Sequence, residues 1–318
     1  MLPAYFMLAE ANICMGGNRL KKAEEFLIAA FWNLLKFTSD ENDKGANSEY
    51  EDALVSTSEL QRYQANLKVT FGRLFLARQG GSSNKDALKN LTEGIYKQCE
   101  MDGPESPKLC SSYFYLGEYY KKENMVDQAR AVYKKICEIW VKFILNEDFE
   151  DVQGYGGYQM NLPDVIYMEG EQHLRNMLLF FEMQFGVQDT VTAEAQYAYG
   201  LVAYKISAQT GNGLGALEAL QQAHQTLSQN LGELDRKTKE VEVVIMRIEE
   251  SLNHQKRIEI IYLSHVHKIS IRGVAAMTDS HYSTVRSVKE AYKATSRTNK
   301  FLTYQSKTLL LKKRRETK

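Results

Sequence analysis

Six histidines and four cysteines are the residues in this chain best equipped for chemistry, and their spacing argues against it. Cys14, Cys99, Cys110 and Cys137 form no C-x-x-C pair, and none has a histidine at metal-ligand spacing. His265-x-His267 offers two imidazoles, but residues two apart on a helix do not share a face, so both read as solvated. His173, within Glu171-Gln172-His173-Leu174, reads as helix surface or as the partner of a nearby carboxylate. Gly211-x-Gly213-x-Gly215 has the glycine density of a phosphate loop, yet no strand precedes it and no Lys-Ser/Thr follows. It reads as an interhelical turn. No catalytic constellation, metal site or cofactor is expected, and the chain reads as a non-enzyme.

Charge carries more information. Arg286, Lys289, Lys293, Arg297 and Lys300 recur at spacings of three, four, four and three, which makes one basic stripe on a helix beside Val285, Val288 and Tyr292. Lys312-Lys313-Arg314-Arg315 follows. Such an array suits an acidic surface: a tubulin tail, an anionic membrane, nucleic acid or a partner's acidic patch. Aromatic stacking platforms do not accompany the charge, so nucleic acid is set aside. The expectation is tubulin or another acidic surface, with neither nucleic acid nor a membrane as partner. A merely solubilising extension is the alternative.

The elements that would carry these residues are helical. Over 318 residues, forty Lys+Arg balance forty Asp+Glu, but the balance is segregated. Residues 254–318 hold fifteen basic and four acidic residues, a net +11; residues 1–253 hold the opposing −11. No apolar run approaches the roughly 18 residues of a membrane span, and no secretory signal pattern is present, so an intracellular protein with reduced thiols is expected. Periodicity is helical almost throughout.

The clearest unit runs from Cys110 to Phe143. Tyr113, Leu116, Gly117 and Tyr120 share one helix; Ala129, Tyr133 and Ile136 share the next. This is the tetratricopeptide pattern, in which small residues admit close helix approach and large ones fill the gaps. Weaker copies are Leu8-Ala9 with Ala23, Leu27 and Ala30, and Phe71-Gly72 with Ala87 and Leu91. A fourth is Tyr199-Gly200 with Ala216, Leu220 and Ala223. A hairpin without signature is expected from Leu162 to Phe185, and a long helix from about Glu233 to about Val266 whose first half caps the array. Acidic inserts at 38–59 and 146–157 read as disordered loops. The expected fold is an all-α tetratricopeptide-like solenoid over 1–253, with a capping helix and a basic, helical or partly disordered extension over 254–318. In the third repeat, Phe114, Glu118, Lys121 and Lys122 are the side chains expected at the groove.

The stretches Leu2-Pro-Ala-Tyr-Phe-Met-Leu-Ala-Glu-Ala11, Lys22-Ala-Glu-Glu-Phe-Leu27, Tyr113-Phe-Tyr-Leu-Gly117 and Ile136-Cys-Glu-Ile-Trp140 resemble the repeats of the zinc finger MYND domain-containing protein 12 family. The resemblance covers residues 2–145 well and 160–253 loosely, and does not reach the basic extension. It implies a ciliary or flagellar axonemal protein, a non-catalytic scaffold that helps attach a single-headed inner dynein arm to the doublet microtubule. The implied partners are an inner-arm dynein heavy chain and a second repeat protein like tetratricopeptide repeat protein 29. The family's zinc finger precedes the repeats; here the sequence opens inside the first repeat helix, so no zinc site carries over.

Two other readings compete. Asp102-Gly-Pro-Glu-Ser-Pro107 and the forty-five residues from Phe71 to Leu116 resemble the long-period repeats of kinesin light chain-type cargo adaptors, although those copies are nearly identical and these are not. A chaperone-type clamp for a C-terminal carboxylate needs Lys and Asn where this chain has Phe6, Glu10, Thr70, Ser111 and Tyr115.

Overall fold

Helix formers interrupted by few prolines leave the chain little choice of element. The computed structural model describes residues 2–43, 57–78, 81–148, 164–210, 214–265, 267 and 269–294, and among them there are twelve α-helices, one 3-10 turn and no strand. The helices are α1 (Leu2–Met15), α2 (Arg19–Asp43), α3 (Thr57–Ala77), α4 (Gly81–Asp102), α5 (Cys110–Lys122) and α6 (Val126–Asp148). There follow α7 (Asp164–Phe185), α8 (Thr190–Thr210), α9 (Leu214–Leu231), α10 (Arg236–His265), α11 (Ile271–Met277) and α12 (Tyr282–Ala294). The chain divides into two compact units, Met1–Val241 and Glu242–Lys318.

The first unit is a helical-repeat array of four antiparallel hairpins, α1/α2, α3/α4, α5/α6 and α8/α9, with α7 added. One side-chain register recurs in each. The first helix presents a small buried residue, Ala9, Gly72, Gly117 or Gly200. The second presents a buried alanine followed four residues later by a buried large side chain: Ala23/Leu27, Ala87/Leu91, Ala129/Tyr133 and Ala216/Leu220. In the three glycine-bearing hairpins the large residue sits on the glycine. A Cβ on Gly72 would lie 2.6 Å from Leu91, on Gly117 2.1 Å from Tyr133, and on Gly200 2.7 Å from Leu220. Ridges therefore mesh with grooves at one fixed register, the packing that the sequence spacing implies.

The residue before the small one, Phe71, Leu116 or Tyr199, is half-buried, whereas Leu8 is 45% exposed. Phe71 packs against the core of the first hairpin and Tyr199 Oη donates to Glu171 of α7 at 3.3 Å, so at these two repeats the position faces the preceding element, and no helix precedes α1 among the described residues. Tyr113 and Tyr120 are half-buried and Tyr133 fully buried.

Two turns share one chemistry. Gly186 and Gly232 each take φ 93, ending α7 and α9 in the left-handed region open to glycine. Three residues later Asp189 and Asp235 accept from the backbone N–H of Val191 and Lys237, both at 2.8 Å, starting the next helix. The start of α10 then packs on α8. Tyr197 Oη donates to Glu240 at 3.2 Å, Lys237 pairs with Glu194, and Thr238 and Val241 are fully buried.

Several boundaries differ from expectation. The hairpin expected from Leu162 to Phe185 is the single helix α7 over its described part. Its Gly170 lies against Trp140 of α6, where a Cβ would meet the indole at 2.4 Å, and it packs on α5 and α8 as well. The acidic insert at 38–59 is narrower, because α2 continues to Asp43 and α3 begins at Thr57; of the insert at 146–157, the residues to Asp148 end α6. The rest of both inserts, with Gly211 and Gly213, lies outside the described residues. Ser82 and Ser83 belong to α4, and Ser83 Oγ donates to the Phe75 carbonyl at 2.9 Å. The compositional division at 253/254 falls inside α10.

In the second unit Ile260 and Leu263 near the end of α10 join Val274 of α11 and Val285 of α12 in a small core, flanked by Ile269, Ile271, Ala275 and Val288. Ser270 caps α11 by accepting from Gly273 N–H at 3.1 Å.

Candidate functional site: a protein-interaction surface

The four side chains expected at a groove in the third repeat are mostly committed to the fold. Phe114 is only 6% exposed, because its ring stacks on His173 at 4.0 Å and lies 6.0 Å from Tyr133. It belongs to the core and is no docking residue. Glu118 accepts from Tyr133 Oη at 2.6 Å and pairs with Lys121. Lys122 Nζ donates to the carbonyls of Leu76 at 2.9 Å and Arg78 at 3.0 Å, satisfying orphan acceptors at the end of α3. Lys121 is exposed but is held in the same network by its pair with Glu118.

Phe114 instead belongs to a polar and aromatic chain running across α1, α3, α5 and α7. Arg73 on α3 pairs with Glu10 on α1 at 3.0 Å and lays its guanidinium 4.2 Å over the Tyr115 ring on α5. Tyr115 meets His173 of α7 edge-on at 5.7 Å. Burial pushes the His173 imidazole down to about 4, against the opposing pull of Glu169, whose carboxylate lies 3.9 Å from Nε2. Burial also pushes the Tyr115 phenol up to about 12 and holds Tyr133 far above its ordinary value.

Ser111 Oγ donates to Glu169 at 2.7 Å, so a serine, a carboxylate and a histidine do meet here. The carboxylate, however, sits between the other two. A nucleophile relay needs the histidine in the middle, and His173 Nδ1 is buried with no partner among the described residues. The chain ties helices together. Likewise Glu10, Thr70, Ser111 and Tyr115, the positions weighed for a carboxylate clamp, make an ion pair, a helix back-bond to Asn66 at 2.8 Å, the Glu169 bond and the arginine contact.

An exposed apolar surface lies on α2, the second helix of the first hairpin. Its core stripe is Ala23, Leu27, Ala30 and Leu34. A second apolar stripe, Ile28, Phe31, Trp32 and Leu35, at i, i+3, i+4 and i+7, is exposed, Trp32 by 60%. Beside it a cavity of about 420 Å³ opens between α2, α3 and α4, lined by Phe31, Leu35, Leu67 and Phe75 with Lys68 and Lys97 among its polar groups. Lys68 pairs with Glu93 at 2.8 Å and Lys97 donates to Gln64 at 3.3 Å. The sequence carried a signal for this stripe: Phe31-Trp32 is in excess of what the α2 core stripe requires.

Of the basic stripe, Arg286 and Lys289 lie on α12 with Arg286 exposed and paired to Glu290 at 2.8 Å. Lys293 is on the same helix, its side chain outside the described residues, as are Arg297, Lys300, Lys312, Lys313, Arg314 and Arg315. No group of three His, Cys, Asp or Glu side chains suited to a metal occurs among the described residues, and no described helix is long and apolar enough to cross a membrane. No protein-family model matches the chain.

Proposed function

We propose that the array is a non-catalytic scaffold of tetratricopeptide type whose main docking surface is the exposed α2 stripe and the adjoining cavity. The observation that carries this is the pair of stripes on one helix: one holds the hairpin together, and the other is apolar and solvent-facing. An apolar stripe flanking a cavity fits the helix-in-groove mode of recognition, with Trp32 as the anchor. Lys68 and Lys97 beside the cavity suit an amphipathic helix with acidic positions.

The resemblance of the first and third hairpins extends the proposal to place. The scaffold would serve the ciliary axoneme, with an inner-arm dynein heavy chain and a second tetratricopeptide protein on its surfaces. For the basic extension, charge alone supports an acidic partner such as tubulin. Stepwise extraction of isolated cilia tests the axonemal assignment. The protein should resist detergent and leave with high salt alongside an inner-arm heavy chain, because a screened charge contact releases at high ionic strength. Recovery in the detergent-soluble membrane and matrix fraction would refute it.

A further inference from the structure

The second unit contains a feature that charge periodicity does not capture. α11 and α12 are joined by four residues, Thr278 to His281, and both rest on the end of α10 through Ile260, Leu263, Val274 and Val285. The turn is closed from within. Asp279 takes φ 45 in the left-handed region, Thr278 Oγ1 donates to the Val274 carbonyl at 2.8 Å, and Ser280 N–H donates to Ala275 at 3.0 Å. His281 opens α12: its carbonyl accepts from Val285 N–H at 3.2 Å, and its Nδ1 lies 2.7 Å from Ser283 Oγ. Lys256 of α10 donates to the Asp279 carbonyl at 3.2 Å, fixing the turn against the supporting helix. Two short helices, a four-residue turn with one left-handed position, and a third helix closing the core have the connectivity of a helix-turn-helix.

The second helix of such a motif is the one that enters a groove, and α12 is dressed for it. Val285 and Val288 face the core. On the opposite side Ser283, Arg286, Ser287 and Glu290 are exposed at i, i+3, i+4 and i+7. Arg272 on α11 is exposed too, where the first helix of the motif crosses the backbone. The segment 254–318 that holds the motif carries a net +11.

From this juxtaposition we infer that the second unit binds double-stranded DNA, with α12 in the major groove and Arg272 at a phosphate. A B-form major groove about 12 Å wide accepts a helix about 10–12 Å across, whereas the A-form groove of duplex RNA is too narrow. Serine and arginine near the start of the helix are suited to base edges. The Arg286–Glu290 pair is exposed and screened, so a phosphate or guanine displaces it readily. Lack of stacking aromatics, the ground for setting nucleic acid aside, bears on single strands, not on a duplex read through its groove. The inference concerns the second unit alone: it competes with an acidic protein partner for the basic extension and is independent of the α2 docking surface.

The test uses the full-length chain and a fluorescent 30-base-pair duplex of randomised sequence, followed by anisotropy from 50 to 200 mM KCl. The chain should bind the duplex at 50 mM more tightly than the same length of single strand, and a tubulin C-terminal peptide should not compete. Arg272→Ala with Arg286→Ala, both solvent-facing, should weaken binding by about tenfold or more and lower the log–log salt slope by about 2. Replacement of Lys312, Lys313, Arg314 and Arg315 by alanine should leave a measurable duplex preference. The inference is overturned by any of three results: no duplex binding at 50 mM, displacement by the acidic peptide, or binding abolished by the four-residue variant and untouched by the Arg272/Arg286 pair.

Discussion

Gly117→Ala places the repeat register under direct strain. The new methyl would sit 2.1 Å from Tyr133 Cε1, 2.7 Å from Cδ1 and 2.9 Å from Cζ, where carbon atoms prefer about 3.5–4.0 Å. Tyr133 cannot step aside. It is fully buried, edge-on to Phe180 at 5.3 Å and Phe181 at 6.1 Å, stacked against Phe114, and tethered by its hydroxyl to Glu118 at 2.6 Å. Overpacking of this kind costs about 1–3 kcal/mol, and a ring pinned at both ends belongs at the upper limit. Alanine returns about 0.5–1 kcal/mol of helix preference. The net loss should be about 2 kcal/mol, a fall in melting temperature of about 4–8 °C for a unit of this size. Circular-dichroism melting and urea titration of the wild type, Gly117→Ala, Tyr133→Leu and the double variant measure it. With the ring removed, the alanine should cost less than about 1 kcal/mol, so the two changes are non-additive. Gly215→Ala is the control, since no described residue lies within 4 Å of its Cβ position, and it should be neutral or slightly stabilising. A Gly117→Ala variant as stable as wild type, or one equally destabilising in the Tyr133→Leu background, would refute the packing argument.

Other outcomes follow from the same geometry. His173 is held at about 4, below its usual 6.5, so the unfolded chain binds the extra proton. Its contribution is intact above about 6.5, falls as pH drops and is gone near 4; urea titrations at pH 7 and 4.5 should differ less in His173→Phe than in wild type, by about 2–3 kcal/mol. Lys122→Met removes two carbonyl partners at the end of α3 and should cost about 1 kcal/mol in the same titration. Burial pushes the thiols of Cys110 and Cys137 up, whereas Cys14 is exposed, so a thiol reagent should label Cys14 first and leave that buried pair unreacted in the folded protein.

How far each feature could be read in advance depends on whether it is local. The four hairpins were legible because Gly117/Tyr133 and its counterparts repeat a contact that spacing alone encodes. The long helix was expected at 233–266 and is found at Arg236–His265, since its apolar stripe is uninterrupted. What spacing could not tell was the packing partner. Phe114 lies against Tyr133 within its own hairpin, and α7, a helix with no repeat signature, covers it by bringing His173 over its ring. Lys122 reads as a free cation until the end of α3 is known to lie beneath it. The helix-turn-helix is not legible in the basic periodicity, which makes Arg286 and Lys289 a stripe, while the informative residues are Val274, Asp279 and Val285. They become a motif only when the turn folds α11 onto α12.

The proposed scaffold role depends most on the α2 stripe, and Ile28→Asp with Trp32→Ala tests it with little risk to the fold, since both side chains are exposed. Tagged wild-type and variant chains are incubated with a low-salt axonemal extract and the retained proteins identified by mass. Wild type should retain an inner-arm dynein heavy chain and a second tetratricopeptide protein, and the variant should lose at least about tenfold of both, as removal of a central aromatic anchor predicts. Equal recovery on the two chains, or no heavy chain on either, would contradict the account.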